Sequence, residues 1–518
     1  MTTQLYIRIC KYLRDKIAGT QWEGHVFTVG GCCRDMVLGY EIKDVDLAVD
    51  LPNGGVEFAE WLYKNKLSTM HPVIFQRYGT AMLRLRAFPH DDIEIVQTRA
   101  EKYTDRNSRN PETAHGSIVD DCMRRDLTIN ALYYDLTAGK LLDITGRSMD
   151  DIRNKVIATP LDPDSTYDDD PIRILRTVRF ASRLGWDLPV PIFEAMRRNS
   201  DRLSIIKPER LRGEFEKILL GTNPGAAIDM LRACGAMRFI APELDPLVTM
   251  RYLPDSDDTV WDHTLRTLDI LPPDLTIRWA ALLCDIAMAL STERVEDKLS
   301  HASRSRHMVM QVLVRLRYHQ PLYKDIIYLC ANHEQTSDWG KHAERMDDSK
   351  LRRLQYLSGR PEKLDMLLTL VDAYNKSLPA PHTRSRQVAE IRKRDAEMQA
   401  DGTAMYTYHL PFAERRIKRL LNIEPGPLVE ATLEYMMQLA FANPLRSRQE
   451  FERLVSAYTP VVPADGIMPL SEEARPCNRH KRGTKKKTEL TQKVVNPTKP
   501  RRRHHHRRRN KKTDNHQS

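Results

Sequence analysis

Two aspartates of a β-like run, DVDLAVD, are placed to bind metal ions: Asp44 and Asp46 stand two residues apart. Alternate residues of a strand leave the same face, so both carboxylates are predicted to point one way while Val45 and Leu47 enter a core. Carboxylates at this spacing suit a pair of Mg²⁺ ions, which would activate an attacking hydroxyl and neutralise a triphosphate. We predict both as catalytic metal ligands. Glu94, in the run DDIEIVQTR, is predicted to complete the cluster.

Glycines and arginines on either side of these carboxylates suit phosphate binding. Gly30 and Gly31 follow a β-like run, where backbone N–H groups could approach phosphate oxygens closely. Arg34 is predicted to contact a phosphate. The adjacent Arg124 and Arg125 could clamp phosphates bidentately. Each pattern alone is also typical of an ordinary turn or capped helix, but their combination favours a site.

A third polar group precedes an amphipathic helical pattern. The run Asp168-Asp169-Asp170-Pro171 predicts a helix start with an acidic cap and proline at the first helical position. Four arginines follow within an arc of about 120° on one face of that helix. They are Arg173, Arg176, Arg179 and Arg183. We expect the last two to form a solvated basic face.

Taken in order, these segments resemble a known family. Residues 30–46 are similar to GGxxRDxxLGxxxxDxD, a signature of the class II RNA nucleotidyltransferases, which are bacterial-type CCA-adding enzymes and bacterial poly(A) polymerases of the polymerase-beta superfamily. Cys32-Cys33 replaces the usual small-plus-valine pair. The resemblance covers about residues 25–245. Three further elements are similar to family motifs: residues 124–132 to RRDFTINAL, residues 143–147 to D-x-x-GG, and residues 169–173 to EDxxR. In the second, Arg147 replaces the second glycine, and in the third, Asp169 replaces glutamate. Residues 206–219 resemble the neck helix of the family.

The resemblance implies a template-independent enzyme that adds C, C and A to tRNA 3′ ends from CTP and ATP with two Mg²⁺ ions. It also implies that Asp126 and Asn130 organise the ribose and the active site. Asp170 and Arg173 would read the Watson–Crick edge of the incoming base, with Arg176 in the same nucleotide-binding set. A carboxylate can accept from the amino group of C and A, which U lacks.

Two alternatives to CCA addition remain open. The first is a poly(A) polymerase acting on other RNA 3′ ends, for which a basic C-terminal tail would be natural. Against it, residues 75–82, 102–103 and 108–111 resemble the CCA-adding branch, and the first of these contains its (F/Y)GTA stretch. The second is a non-catalytic RNA-binding protein on this scaffold, which the retained Asp44, Asp46 and Glu94 argue against.

Residues 259–286 resemble the start of an HD metal-phosphohydrolase domain. That domain needs a His-Asp pair as metal ligands, whereas this chain has Cys284-Asp285. His307 and His333 stand isolated in the sequence. We therefore predict a helical HD-like scaffold without hydrolase activity.

Positive charge is concentrated at the end of the chain. Residues 471–518 hold 17 Lys or Arg against 4 Asp or Glu, a balance of +13 in a chain of net charge +11, so the remainder is nearly neutral. The segment is poor in apolar residues, which predicts a disordered tail that grips RNA phosphates. Its expected RNA-binding residues are Arg501, Arg502, Arg503, Arg507, Arg508 and Arg509.

The 518 residues predict an α+β polymerase-beta-like head with a small mixed sheet, an all-helical neck and body, and the basic tail. The expected boundaries are 1–150, 151–245, 246–465 and 466–518. Eight scattered cysteines without a CxxC pair argue against a zinc site and fit a reduced cytosol. The sequence indicates a cytoplasmic protein with no membrane span, no signal peptide and no obligate protein partner.

Overall fold

The computed structural model describes residues 1–75, 79–102, 112–252, 257–290, 301–319, 322–333, 347–378 and 384–461. The chain divides into two units, Met1–Ala474 and Arg475–Ser518, and all described residues belong to the first. The predicted basic tail with its six arginines lies outside the described residues. So do residues 76–78, 103 and 108–111 of the segments that resemble the CCA-adding branch.

A seven-stranded mixed sheet forms the centre of the head. Its strands are β1 (Val26–Val29), β2 (Val45–Val49), β3 (Val73–Phe75), β4 (Thr80–Leu85), β5 (Phe88–Gln97), β8 (Leu132–Asp135) and β9 (Lys140–Asp143), while β6 (Arg99–Lys102) and β7 (Glu112–His115) form a separate ribbon. The order in the sheet is β3-β4-β5-β2-β1-β8-β9. Only the β2–β5 pair is parallel among these strands. The predicted small mixed sheet is confirmed.

Five helices pack around this sheet: α1 (Thr3–Ile17), α2 (Gly31–Leu38), α3 (Gly54–Lys64), α4 (Ile118–Met123) and α5 (Ser148–Arg153). The spacing of apolar residues predicts α3 over Val56–Lys66, and the helix begins two residues earlier. It does so on two glycines that contact the sheet. A Cβ at Gly54 would lie 2.6 Å from Val49 Cγ1, and one at Gly55 would lie 2.5 Å from the Gly79 carbonyl oxygen. Only glycine allows that close packing of helix on sheet.

The alternation expected in β2 is present. Val45 and Leu47 are fully buried in the head core, whereas Asp46 between them is partly exposed. Asp44 lies just before the strand and is exposed. The apolar side of β2 thus fixes the direction in which the aspartates face.

The described residues after α5 are helical, with one isolated bridge between Arg251 and Thr259. A continuous apolar core runs from Tyr167 to Met398 and crosses residue 245, the boundary expected between neck and body. A smaller core lies between Met405 and Val455. The helices are α6 (Pro163–Asp169), α7 (Ile172–Leu184), α8 (Val190–Asn199), α9 (Pro208–Leu219), α10 (Pro224–Ala233), α11 (Val260–Ile270), α12 (Leu275–Leu283), α13 (His301–Arg315), α14 (Leu322–Asn332), α15 (Asp348–Ser358), α16 (Pro361–Lys376), α17 (Arg384–Ala400), α18 (Glu414–Leu421), α19 (Pro427–Ala442) and α20 (Arg448–Ser456).

The start of α7 differs from the expectation of an acidic cap. Asp168 and Asp169 belong to α6, and α7 begins at Ile172. The backbone carbonyl of Asp170 accepts from the Arg173 amide at 3.0 Å, so the main chain closes the first turn. The carboxylate of Asp170 is thereby left for another partner.

Within the described residues, no helix combines the length and apolar character needed to cross a membrane.

Candidate active site

The predicted carboxylates meet where β2 and β5 run parallel. Asp46 is directly opposite Glu94 in the register of the two strands, and Asp44 lies just before β2. Burial raises the pKa of Asp46 to about 6, and the charges of Glu94 and Asp44 add to this effect while Arg125 opposes it. Asp46 and Glu94 are thus neighbours across the strand pair, and the charge of Asp44 also acts on Asp46. Carboxylate oxygens are the ligands that Mg²⁺ prefers.

Gly30 joins β1 to α2 in a conformation that only glycine adopts readily, with φ of 77°. A Cβ on Gly30 would lie 3.2 Å from Nη1 of Arg125, so the missing side chain makes room for that guanidinium. The Gly30 amide donates to the Leu132 carbonyl at 3.1 Å. It is thus engaged within the sheet, and the predicted phosphate contact rests with Gly31 at the start of α2.

Asp121 holds the two adjacent arginines in place. Its buried carboxylate accepts from Arg124 Nε at 3.0 Å and from Arg125 Nη2 at 3.0 Å, and the Tyr133 hydroxyl also donates to it. Burial acts to raise the pKa of Asp121, but Arg125 and Arg124 outweigh it and hold that pKa well below the usual range. The sequence analysis missed Asp121. The available signal was its spacing, because Asp121 precedes Arg124 by three residues and Arg125 by four, and side chains at these spacings are neighbours where the chain is helical.

Arg99 is a second residue that the sequence analysis missed. It lines a cleft of about 290 Å³ together with Phe75, Thr80 and Glu94. Its buried Nε has no hydrogen-bond partner in the described part of the chain. Burial, with the nearby charge of Arg124, lowers the pKa of Arg99. A cation that lines the same cleft as Glu94, a predicted catalytic carboxylate, is suited to bind a phosphate group.

A buried chain of hydrogen bonds connects Arg34 to α7. The Arg34 guanidinium donates to Asp35 at 2.9 Å and to Asn130 Oδ1, and Asn130 Nδ2 donates to Asp126 Oδ1 at 3.1 Å. Asp126 Oδ2 accepts from Arg176 Nε at 2.8 Å. Arg34 is only 3% exposed. Arg34 is thus buried and engaged within the head, and its contact with a phosphate stays a prediction.

The two predicted base readers are both engaged within the protein. The Asp170 oxygens accept from Arg210 Nη1 at 3.1 Å and Nη2 at 2.6 Å. Arg173 donates to the carbonyls of Arg124 at 2.6 Å and Thr166 at 3.3 Å. The Arg173 donors thus tie the start of α7 to the arginine pair of the head. Sequence analysis did not identify Arg210, which lies 40 residues from its partner.

The expectation that Arg179 and Arg183 form a solvated face is wrong. Arg179 Nε donates to Glu214 at 2.9 Å, and Arg183 Nη2 donates to Asp35 at 3.4 Å. Their side chains are 16% and 32% exposed. This face of α7 packs against the head and against α9, so its charges pair across the contacts.

In the body, the expectation that His333 is isolated is also wrong. His333 lies against Asp285, with 3.5 Å between Nε2 and Oδ1. Cys284, Asp285 and His333 are all buried, and their possible ligand atoms lie within 4.8 Å of one another. His307 is elsewhere, beside Gln311 on an exposed part of α13. Cys284 and His333 are far apart in the sequence, so no spacing pattern joins them.

The chain is similar to known proteins in both sequence and fold. Residues 26–158 match the family described as the poly A polymerase head domain, and residues 191–248 match a probable RNA and SrmB-binding site of polymerase A. The chain is 33% identical over 240 residues to tRNA nucleotidyltransferase cca1 of Schizosaccharomyces pombe, which covers 43% of this chain and 47% of that protein. It is 30% identical over 322 residues to the Multifunctional CCA protein of Methylobacillus flagellatus, which covers 60% of this chain and 73% of that protein.

The fold extends the likeness beyond the matched sequence. The Bacillus stearothermophilus CCA-adding enzyme in complex with CTP superposes with a TM-score of 0.58 over 88% of this chain and 96% of that chain, at 19% identity. The matched region spans about half the length of the fission yeast relative. Nearly three quarters of the Methylobacillus protein is matched at 30% identity. On these grounds the chain belongs to the family of CCA-adding enzymes and poly(A) polymerases, the class II RNA nucleotidyltransferases.

Proposed function

We propose that the protein adds C, C and A to the 3′ ends of tRNA, using CTP and ATP and no nucleic-acid template. The observation that carries this proposal is the register of β2 on β5, which sets Asp46 beside Glu94 and next to Arg125. Carboxylates for metal ions beside cations for phosphates are the groups that nucleotide transfer needs. The names of the fission yeast and Methylobacillus relatives supply the tRNA and the CCA end as substrate and product.

Asp44 and Asp46, with Glu94 alongside, would hold Mg²⁺. The raised pKa of Asp46 supports this, because a divalent cation would relieve the repulsion that contributes to it. When bound, Mg²⁺ neutralises charge on the triphosphate and activates the attacking RNA hydroxyl. The carboxylates themselves fix where the reacting 3′ end and the α-phosphate must meet.

Arg125 and Arg99 are placed to bind the triphosphate. Arg125 lies against the Gly30 turn, and Arg99 lines the cleft that Glu94 also lines. Asp121 orients Arg125 from behind through its second oxygen. Nε and Nη1 of Arg125 also donate, to the Tyr133 hydroxyl and to the Asn130 carbonyl. The guanidinium is therefore held in place, and the second hydrogens of Nη1 and Nη2 would meet phosphate oxygens with little loss of side-chain entropy.

Asp170 and Arg173 would select the base. The Asp170 carboxylate can accept from the exocyclic amino group of C or A, and Arg173 can donate to a ring nitrogen or carbonyl oxygen. In this structure Arg210 occupies both oxygens of Asp170. An incoming base therefore competes with, or shares, an ion pair within the protein.

The basic tail is proposed to grip RNA phosphates without reading sequence. The cytoplasm is the expected compartment. Imaging of a fluorescent fusion would test the location, and signal confined to mitochondria would contradict it.

The alternative product is poly(A), which the description of the matched head family and the basic tail favour. The test is to incubate the protein with tRNA that lacks CCA and with all four nucleotides, and then to sequence the 3′ ends. We expect C, C and A followed by a stop. Long A tracts made without CTP would establish a poly(A) polymerase, and absence of any extension by wild type would leave the non-catalytic RNA-binding alternative.

A further inference from the structure

A buried cluster in the body combines three side chains that metal ions use as ligands. Cys284 follows the end of α12, Asp285 comes next, and His333 follows α14. Their exposed fractions are 1%, 2% and 5%. Burying a carboxylate next to a thiol and an imidazole costs free energy unless each polar group finds a partner of suitable charge.

The hydrogen bond of His333 fixes which of its nitrogens carries a proton. Nδ1 lies 2.7 Å from the carbonyl oxygen of Cys330. A carbonyl can only accept, so Nδ1 must be the donor, and in the neutral ring Nε2 then carries a lone pair. An imidazole held by such a bond to a backbone carbonyl is in the tautomer that binds a metal through Nε2.

In the neutral ring, that lone pair faces an acceptor. Nε2 of His333 lies 3.5 Å from Oδ1 of Asp285, longer than a good hydrogen bond. Both oxygens of Asp285 already accept from the Tyr374 hydroxyl, at 3.0 and 3.1 Å. A cation between the two groups would convert this repulsion of acceptors into attraction.

The spacing fits a tetrahedral metal ion. Zinc–nitrogen and zinc–oxygen bonds of about 2.0–2.2 Å place neighbouring ligand atoms about 3.3–3.5 Å apart, close to the separation of Nε2 and Oδ1. The Cys284 sulfur completes a set whose atoms all lie within 4.8 Å of one another. A fourth nitrogen is available in the same buried cluster. His263 is 0% exposed, its ring lies 4.3 Å from that of Tyr374, and its Nε2 has no hydrogen-bond partner among the described residues.

We propose that Cys284, Asp285 and His333 bind a thiolate-preferring divalent metal ion, Zn²⁺, that ties α12 to α14. A sulfur ligand favours zinc over the hard ions that oxygen-rich sites select. On binding, the Cys284 thiol loses its proton to solvent and the sulfur forms the metal bond, while His333 binds as a neutral ring. The role is structural, because all three ligands are buried. The proposal is independent of nucleotide transfer.

The test uses the full chain loaded with Co²⁺, which takes the place of Zn²⁺ and reports its ligands by colour. We expect about one equivalent of metal at the site, with a thiolate-to-cobalt charge-transfer band and the strong visible bands of a tetrahedral ion. Cys284→Ser should abolish the charge-transfer band and weaken binding at least about tenfold. His333→Gln should weaken binding and shift the visible bands.

Two controls separate this site from other metal-binding groups. Cys477→Ser removes the cysteine nearest the histidine run 504–506 of the tail, and it should leave the charge-transfer band unchanged. Cys234→Ser replaces a buried cysteine outside the cluster and should also have no effect on the band. Absence of the band in wild type, or its survival in Cys284→Ser, would overturn the proposal.

If Cys284→Ser does not fold, X-ray absorption of the zinc-loaded wild type decides instead. We expect one sulfur with nitrogen and oxygen ligands around the metal. A shell of nitrogen and oxygen alone would contradict the assignment, because it would place the metal at the acidic site of the head or at the histidines of the tail.

Discussion

At Asp46 the charge proposed to bind Mg²⁺ lowers the folding stability of the metal-free protein. Its pKa of about 6 is above the ordinary 3.8, so the ionised carboxylate costs folding free energy above that pH, and the cost disappears as pH falls below the ordinary value. A shift of about two units corresponds to about 2–3 kcal/mol. We expect Asp46→Asn to abolish nucleotide transfer while raising the thermal stability of the Mg²⁺-free protein at about pH 8 and much less at about pH 4.

Thermal unfolding without Mg²⁺, together with a transfer assay and RNA binding, would check this prediction. Asp44→Asn is the matched control, because Asp44 is exposed and should be needed for transfer with a smaller gain in stability. RNA binding should survive in both variants. Substantial transfer by either variant would remove it from the set of metal ligands.

Asp121 is expected to act through the arginines that it holds. Asp121→Asn keeps the size of the side chain but removes the charge that binds Arg124 and Arg125. We expect the KM for CTP and ATP to rise about tenfold, more than kcat falls, and the protein to lose stability. Asp120→Asn is the control. Asp120 is exposed, and it serves only the capping box with Ser117 in the contacts described. Equal kinetic effects of the two changes would mean that Asp121 supports the helix alone.

The residues that sequence analysis found share a property: they lie on a single strand or in a compact motif. Asp44 and Asp46 follow from alternation along one strand, and the place of Glu94 depends only on one strand pair. Asp121 and Arg210 were missed because their function depends on which partner they meet. A carboxylate or guanidinium has the same appearance in sequence whether it is solvated or buried against a partner.

At the level of elements, Asp170 and Arg173, the proposed base-reading residues, lie at the start of α7, which contacts the head and α9. Asp170→Ala should lower the preference for CTP and ATP over UTP, because the acceptor for the exocyclic amino group is removed. Loss of one such bond to a charged group corresponds to about tenfold to hundredfold in discrimination. Arg173→Ala should weaken discrimination against GTP. Competition assays with pairs of nucleotides would measure both effects.

Asp168→Ala is the matched control for these assays, since Asp168 lies two residues earlier, in α6, and pairs with Arg202. It should leave nucleotide preference unchanged. If Asp170→Ala kept the full preference for CTP and ATP, the carboxylate would serve only to bind Arg210.

The strands β1, β2, β4 and β5 of the head, and the helical character of the rest, could be predicted from the spacing of apolar residues and the positions of proline. The start of α3 could not, because it depends on how closely Gly54 and Gly55 approach the sheet. The face of α7 that carries Arg179 and Arg183 has the pattern of a solvated helix, yet it packs against other elements. An amphipathic pattern identifies the apolar stripe of a helix, but it does not reveal whether another element packs against the polar face.

For the whole molecule, the tail is expected to raise affinity for RNA without choosing the nucleotide. Deletion of residues 471–518 should weaken binding and reduce the slope of log affinity against log salt by about 0.7 for each single-strand phosphate that the tail neutralises. Replacement of the six tail arginines by glutamine is the control that keeps length and removes charge. An unchanged slope in both would show that the tail does not bind RNA.

The continuity of the core is a feature that sequence did not predict. The family resemblance ends near residue 245, where a boundary was expected, but buried apolar residues continue across it from Tyr167 to Met398. Helical periodicity shows that a face is buried and does not show which helix covers it. The division into neck and body therefore stays a prediction that limited proteolysis would test.

The ion pair between Asp170 and Arg210 has opposite consequences for the affinity for nucleotides and for the accuracy with which a nucleotide is chosen. In the proposed role of Asp170, an incoming base meets a carboxylate whose two oxygens already accept from Arg210, so the base either displaces the guanidinium or shares the carboxylate with it. Apparent binding is weakened by the fraction of time that the pair is closed. A base without the matching amino group cannot open the pair. Removing Arg210 should therefore make the protein bind nucleotides more tightly and select CTP and ATP less strictly. The variant would be recognised by wrong nucleotides at the RNA 3′ end rather than by slow turnover.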